Sequence, residues 1–379
     1  MLALAVSVLA AHAKEIARDG AATETAFHEC LSMLCSIDLA RRFALGKPTL
    51  GGSIIYEEPV FLGKSLDREL IFPPAKILAV RKPTSPNLLV EGRDYVATRK
   101  GIRFLPSLET KEAPAELANA TATDNSNLYI GVEYQEYQYW VTYQRPAFAG
   151  ILGNNGYKYA PTCGGLPLKD LLSRPKVRVT IFGDSISDGA NASAQYVYPN
   201  QLGYVGLVEA YLSARFPSKW AFRNTSVAGW STLNAISALD THALDIEADL
   251  FVIAFGMNDA AATPQEYEER LRHIVGRIAA KYPSSYVLLV SSLSANPRWD
   301  KVDAALFKGF SHVVRTIAST DPKIACADMF DAWKWMMERK AYLDLTGNGV
   351  NHPNDFGHRV QADVVLNAIL GDEYKPIEF

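Results

Sequence analysis

The chain has 379 residues, 48% of them apolar and 21% charged, so it can bury a large core and is not built as a disordered polymer. Lys and Arg number 38 against 41 Asp and Glu, a formal charge of −3, which lacks the basic excess of a nucleic-acid binder. No apolar run reaches the roughly 18 residues that would span a bilayer, and 4 cysteines are too few for a disulfide scaffold.

Residues 1–13, MLALAVSVLAAHA, are apolar and end in Ala11-His12-Ala13, the small-x-small pattern of an export cleavage site. No Lys or Arg precedes Lys14, so the same run also reads as the first turns of a buried helix. On the export reading the protein is periplasmic or secreted. Thr23 to Phe43 is helix-like and holds Cys30 and Cys35. No His or Cys pair near them completes a metal-ligand set, so they read as buried thiols. Cys163 in a loop-like segment and Cys326 in a strand-like one read as structural too.

From Leu50 to Pro161 the signals are those of strands. Ser53–Tyr56, Lys76–Val80 and Gly101–Leu105 are short β-rich runs bounded by Pro, Gly, Asn or Asp, and Leu128 to Tyr143 is dense in Tyr and Val. Short strands with frequent turns predict an all-β sandwich. Residues 162–174 read as a linker. Beyond it strands are expected at Val177–Phe182, Phe222, Leu250–Phe255, Tyr286–Ser291 and Lys323–Ala327. Helices are expected at Pro199–Phe216, from Thr232, and at Pro264–Lys281, Lys301–Ser319, Met329–Lys340 and Gly357–Leu370. This alternation predicts an α/β domain with a parallel sheet covered on both faces. The organisation is thus a leading segment 1–49, a β-sandwich accessory domain 50–161, a linker 162–174 and an α/β domain 175–379.

In such sheets ligands bind beyond the carboxyl ends of the strands, and the unusual residues cluster there. The first strand ends in Gly183-Asp184-Ser185-Ile186-Ser187-Asp188-Gly189, which offers a serine at a strand-to-turn junction. It is not a G-x-S-x-G elbow, because position 187 is Ser. After the second strand comes Ala228-Gly229-Trp230, with a backbone N–H at a helix start. After the third comes Gly256-Met257-Asn258-Asp259, whose Asn258 amide can donate to a developing oxyanion. Before the last helix stands Gly349-Val350-Asn351-His352-Pro353-Asn354, whose histidine is a candidate base. Taken singly, each has an ordinary reading as a turn, cap or loop residue.

In this order the four pieces resemble the SGNH, or GDSL-type, hydrolase family over roughly residues 175–372. The resemblance implies a flavodoxin-like, five-stranded parallel sheet. It also implies that Ser185 is the nucleophile and that His352 is its base. The oxyanion hole would comprise the Ser185 N–H, the Gly229 N–H and the Asn258 amide. The front half also resembles the β-sandwich fused before this domain in carbohydrate-active members. No metal or organic cofactor is implied. Gly63-Lys64-Ser65 is not a P-loop, and the 7 histidines include no H-x-x-x-H pair.

One position departs from the family. The acid three residues before the histidine, in D-x-x-H, is here Gly349. Three readings stay open. Asp344 folds back on the glycine-rich loop to hold His352; or a backbone carbonyl near Gly349 holds the imidazole and leaves a Ser–His dyad; or the site is weakened or inactive. Asp355 is placed at the start of the last helix instead, and Asp184 and Asp259 are read as loop-holding residues. The expected function is a serine esterase removing acyl groups, acetyl above all, from carbohydrate. The sugar assignment leans on the β-rich front half and on Trp230 and Trp299. The alternatives are a lipase- or thioesterase-like hydrolase of small acyl esters, and a carbohydrate-binding protein with an inactive hydrolase domain.

Overall fold

The computed structural model describes residues 49–50, 53–63, 65–85, 87–108, 113, 133–146, 162–195, 198–299 and 302–374. The run read as an export signal, the stretch read as helix around Cys30 and Cys35, and Leu128 to Val132 lie outside the described residues.

The described strands of the front region pair antiparallel and form two three-stranded sheets. In one, β6 (Gln138–Gln144) lies between β1 (Ile54–Phe61) and β3 (Lys76–Arg81). In the other, β5 (Gly101–Phe104) lies between β2 (Asp67–Glu69) and β4 (Tyr95–Ala97). Their cores use alternate residues, as a half-buried strand requires: Ile102 and Phe104 are wholly buried while Arg103 faces out.

The second region is a six-stranded sheet of order β7-β12-β11-β10-β8-β9. Five strands run parallel: β8 (Val177–Gly183), β9 (Trp220–Asn224), β10 (Leu250–Ala254), β11 (Tyr286–Val290) and β12 (Ile324–Ala327). Their order is that of the flavodoxin-like, doubly wound sheets. β10 lies at the centre and is buried along its whole length, which is why its sequence is an unbroken apolar run.

The helices are α1 (Leu168–Ser173), α2 (Ser185–Asp188), α3 (Tyr204–Arg215), α4 (Thr232–His242), α5 (Pro264–Lys281), α6 (Ala304–Ala318), α7 (Met329–Met337), α8 (Tyr342–Leu345) and α9 (Asp355–Leu370). Their starts follow from local chemistry. Pro264 opens α5 behind a Thr263–Glu266 capping box, and Asp303 caps α6.

The first two residues of the segment read as a linker belong to this sheet. Thr162–Cys163 forms β7, the single antiparallel edge strand, and Cys163 is joined to Cys326 of β12 by a disulfide. Local pattern could not foresee this, because a two-residue strand has no periodicity.

The two regions share one hydrophobic core, in which Val60, Phe104 and Val141 in front belong with Leu345, Phe356 and Val360 behind. α9 shows why. It is buried almost along its whole length, polar residues included. The front strands supply partners for those polar groups: the Arg359 guanidinium donates to the Glu57 carboxylate at 3.0 Å and to the Tyr56 carbonyl at 3.1 Å. Without the front strands these groups and the apolar surface around them would face water. Heating should therefore give one cooperative calorimetric transition for both regions. Two resolved transitions would show that the front sheets fold as a separate unit.

Candidate active site

Three turns meet at the carboxyl ends of neighbouring strands. β8 lies between β9 and β10, with Ala254 of β10 opposite Gly183. The turn after β9 is tied to the turn after β8 by the Val227 N–H, which donates to the Gly183 carbonyl at 3.0 Å. The turn after β10 is tied to the one after β9 by the Asn258 side-chain amide, which donates to the Trp230 carbonyl at 3.0 Å. Ser185 therefore sits in the middle, with Gly229 on one flank and Asn258 on the other. Gly229 is exposed and takes a left-handed φ of +80°, while Asn258 is half-buried.

Ser185 is the first residue of α2. Asp184 caps that short helix, its carboxylate accepting from the Ile186 N–H at 3.0 Å. Burial pushes the Asp184 pKa up to about 7. Asp259 accepts from the Thr232 N–H at 3.1 Å and from its hydroxyl, so it fixes the start of α4. Both acids hold turns, as the sequence suggested.

His352 closes the site. Its Nε2 lies 2.8 Å from the Ser185 hydroxyl. Its loop is organised by Asn348, whose Oδ1 accepts from the N–H groups of Val350, Asn351 and His352, each at 3.0 Å. The Thr346 hydroxyl donates to the His352 carbonyl at 2.8 Å. Desolvation, and after it repulsion from His358, pushes the His352 pKa down to about 4. The imidazole is thus neutral at pH 7, the state in which Nε2 can take a proton from a serine hydroxyl.

Asp344 is not its partner. It is buried on α8 with both oxygens committed elsewhere. Oδ1 accepts from the Phe61 N–H at 2.6 Å and from Arg68 at 2.8 Å, and Oδ2 lies 3.5 Å from Lys340 and accepts from the Ala341 N–H at 3.2 Å. The front strands claim it before the histidine loop can. Nor does a backbone carbonyl take that place: the Gly349 carbonyl accepts from the Asn296 side chain at 2.7 Å, and His352 Nδ1 faces a side chain. The atom against His352 Nδ1 is instead Asn191 Oδ1, at 2.7 Å. Position 191 follows the nucleophile turn with no motif to mark it, which is why sequence reasoning passed over it.

The structure also shows why residue 349 is glycine. It takes a left-handed φ of +78°, and a Cβ there would lie 2.1 Å from the Tyr134 hydroxyl oxygen. Tyr134 is wholly buried and comes from the front region. An aspartate at position 349 would collide with it.

Among the described residues no group of three or more His, Cys, Asp or Glu side chains is gathered to hold a metal ion, and no helix is long and apolar enough to cross a membrane. Residues 181–360 match the model of the GDSL-like Lipase/Acylhydrolase family. Among solved structures, the chain is similar to LAE5, an alpha/beta hydrolase enzyme from the metagenome of Lake Arreo, Spain. The identity is 23%, over 51% of this chain and 94% of that one, with a TM-score of 0.43. It is also similar to a catalytic mutant of Axe2, an acetylxylan esterase from Geobacillus stearothermophilus, at 20% identity over 53% of this chain and 97% of that one, with a TM-score of 0.45. No curated protein matches the chain.

The surroundings of Asp344 generate a prediction. Removing one partner from a buried ion pair costs about 3–5 kcal/mol. Asp344→Asn should lower stability by that order in urea denaturation, while kcat of the folded protein stays within severalfold of wild type. A hundredfold loss of kcat at unchanged stability would return Asp344 to the catalytic set.

Proposed function

We propose, from the match of residues 181–360 to the GDSL-like Lipase/Acylhydrolase family, that this protein is a serine esterase removing small acyl groups, acetyl above all, from a carbohydrate acceptor. The observation that carries the reading is the 2.8 Å contact between the Ser185 hydroxyl and His352 Nε2. A hydroxyl is a poor nucleophile until a base removes its proton, and this base is neutral and in hydrogen-bond reach.

In the first step Ser185 Oγ attacks the ester carbonyl carbon and its proton passes to His352 Nε2. The carbonyl oxygen becomes an oxyanion, met by the Ser185 and Gly229 N–H groups and the Asn258 amide. When the tetrahedral intermediate collapses, the bond to the alcohol breaks and that alcohol takes the proton from Nε2. Water then attacks the acyl-enzyme with His352 again as base, which releases the acid and restores Ser185. The carbohydrate reading is supported by Trp230, a half-buried indole next to Gly229. A panel of acetylated xylan, mannan, pectin and simple acyl esters tests it, with preference for simple esters as the result against it.

Two variants test the roles. Ser185→Ala removes one oxygen from a turn and no core packing, so thermal stability should hold while p-nitrophenyl acetate hydrolysis is almost lost. Retention of activity within tenfold of wild type would remove Ser185 as nucleophile. Asn258→Ala should lower kcat by about 10²–10³-fold with a smaller change in KM, because an oxyanion donor acts chiefly on the transition state. A change confined to KM would make Asn258 a substrate-binding residue.

A further inference from the structure

A histidine that must accept a proton at Nε2 has to carry its own proton at Nδ1, and that N–H needs an acceptor when buried. In Ser–His–Asp sites the acceptor is a carboxylate, which selects the tautomer and stabilises the imidazolium. Here the acceptor position holds Asn191 Oδ1, 2.7 Å from Nδ1. We propose that Asn191 is the positioning residue of this site, its side-chain carbonyl fixing the tautomer and orientation of His352 in place of a carboxylate.

The fold holds Asn191 from several sides. It is wholly buried and takes a left-handed φ of +65°, a conformation that Asn tolerates better than most residues. On the side of the nucleophile, the Ala190 N–H donates to the Ser185 carbonyl at 2.9 Å and the Ala192 N–H to the Gly189 carbonyl at 3.0 Å. On the side of α9, Asp355 accepts from the Ser193 N–H at 2.8 Å and from the Ser193 hydroxyl at 2.6 Å. His358 Nε2 lies 3.0 Å from the Ala190 carbonyl. On the side of the histidine loop, a Cβ on Gly347 would lie 2.5 Å from the Asn191 Cβ, so only glycine lets the two loops approach this closely. The Gly347 N–H meanwhile donates to the His352 carbonyl at 3.0 Å. The same contacts that bring Asn191 to the ring also hold the backbone of the ring's own residue.

The amide orientation follows from the bond network. Nε2 serves as the acceptor for the serine hydroxyl, so Nδ1 is the donor, and only the amide oxygen can answer it. Cys–His–Asn sites show that an amide suffices to orient a catalytic imidazole. The difference from a carboxylate is charge. An amide brings no negative charge to the imidazolium, so the ring stays neutral to lower pH, in keeping with a His352 pKa pushed down to about 4. Among ionisable groups, His358 on α9 is the one whose charge acts on the ring, while Asp184 is bonded to the Ile186 N–H and Asp355 to Ser193. All of them are unchanged in the variants below.

The inference rests on the serine-esterase reading for its catalytic meaning, but the decisive readout does not need turnover. The whole chain is labelled with 15N-histidine, and His352 is assigned by comparison with His352→Gln. Its ring nitrogens are then titrated in wild type, Asn191→Asp and Asn191→Gly. Both replacements tolerate the left-handed backbone, so their folds should survive, which thermal melting checks. Wild type should show the Nδ1–H tautomer and a pKa well below 6.5. Asn191→Asp should keep that tautomer and raise the pKa by about 1–3 units, with the acid limb of kcat/KM moving up in step. Asn191→Gly should lose the fixed tautomer and about 10²-fold or more in kcat. An Nε2–H tautomer in wild type would overturn the proposal. So would a His352 pKa that does not move in Asn191→Asp, or an Asn191→Gly variant with kcat within threefold of wild type. A wild type inert toward every ester, with the tautomer and pKa as expected, would count against the esterase reading and leave Asn191 as the residue that holds the ring.

Discussion

The site depends on one imidazole held between two uncharged partners. His352 meets the Ser185 hydroxyl at 2.8 Å on one nitrogen and the Asn191 amide oxygen at 2.7 Å on the other. Neither bond survives a shift of even 1 Å, because hydrogen bonds weaken steeply with distance and angle. The rest of the local structure is therefore concerned with the backbone. Thr346, Gly347 and Asn348 fix both ends of the His352 peptide unit, and Asn348 alone collects three N–H groups in one carboxamide oxygen. A loop so bonded has little freedom left to lose when substrate binds.

The front sheets take part in this arrangement. Gln138 of β6 donates to the carbonyls of Leu343 and Thr346, both at 2.9 Å, and accepts from the Asn354 amide at 3.1 Å. One side chain thus bridges the two ends of the histidine loop. Tyr134 fills the space that a side chain at residue 349 would need. Phe61 and Arg68 occupy Asp344, and Lys340 pairs with Glu58 at 3.0 Å in a spot where both side chains are wholly buried. Such a buried pair contributes little net stability, but breaking it is expensive. It therefore ties the front strands to the turn that leads into α8 in a single geometry. Glycine at position 349 and the presence of these strands are two sides of one packing solution.

Much of the α/β region was legible in the sequence, because its signals are strong and local. Buried strands such as Leu250–Ala254 are short apolar runs, and α5 shows both its capping box and a proline at its first turn. Ser185, Gly229, Asn258 and His352 could be singled out through a family resemblance because each follows or precedes a recognisable element, and the structure brings the Ser185 hydroxyl and His352 together. What was not legible depends on distant contacts. β7 is two residues long and exists only because β12 and a disulfide hold it. Asp344 lies eight residues before His352, and nothing in that spacing reveals that Phe61 and Arg68 reach it first. Asn191 is an asparagine after a turn, indistinguishable in one sequence from a solvent-facing loop residue.

Charge is distributed in this molecule by task. The buried acids near the site, Asp184, Asp259, Asp344 and Asp355, each accept N–H groups from a backbone that must be held still. The groups that touch the base are a hydroxyl and an amide. The separation has an electrostatic consequence. On the proposed mechanism a positive imidazolium and a negative oxyanion form together during attack on an ester, and in a low-dielectric environment their mutual attraction is stronger than in water. A carboxylate behind the ring would stabilise the cation, but it would also favour protonation of the ring before substrate arrives. With a neutral amide there, the resting imidazole stays a free base, and the partner for the imidazolium is the oxyanion itself, present only in the transition state. Stabilisation that arises only at that point accelerates the chemical step without tightening the ground state.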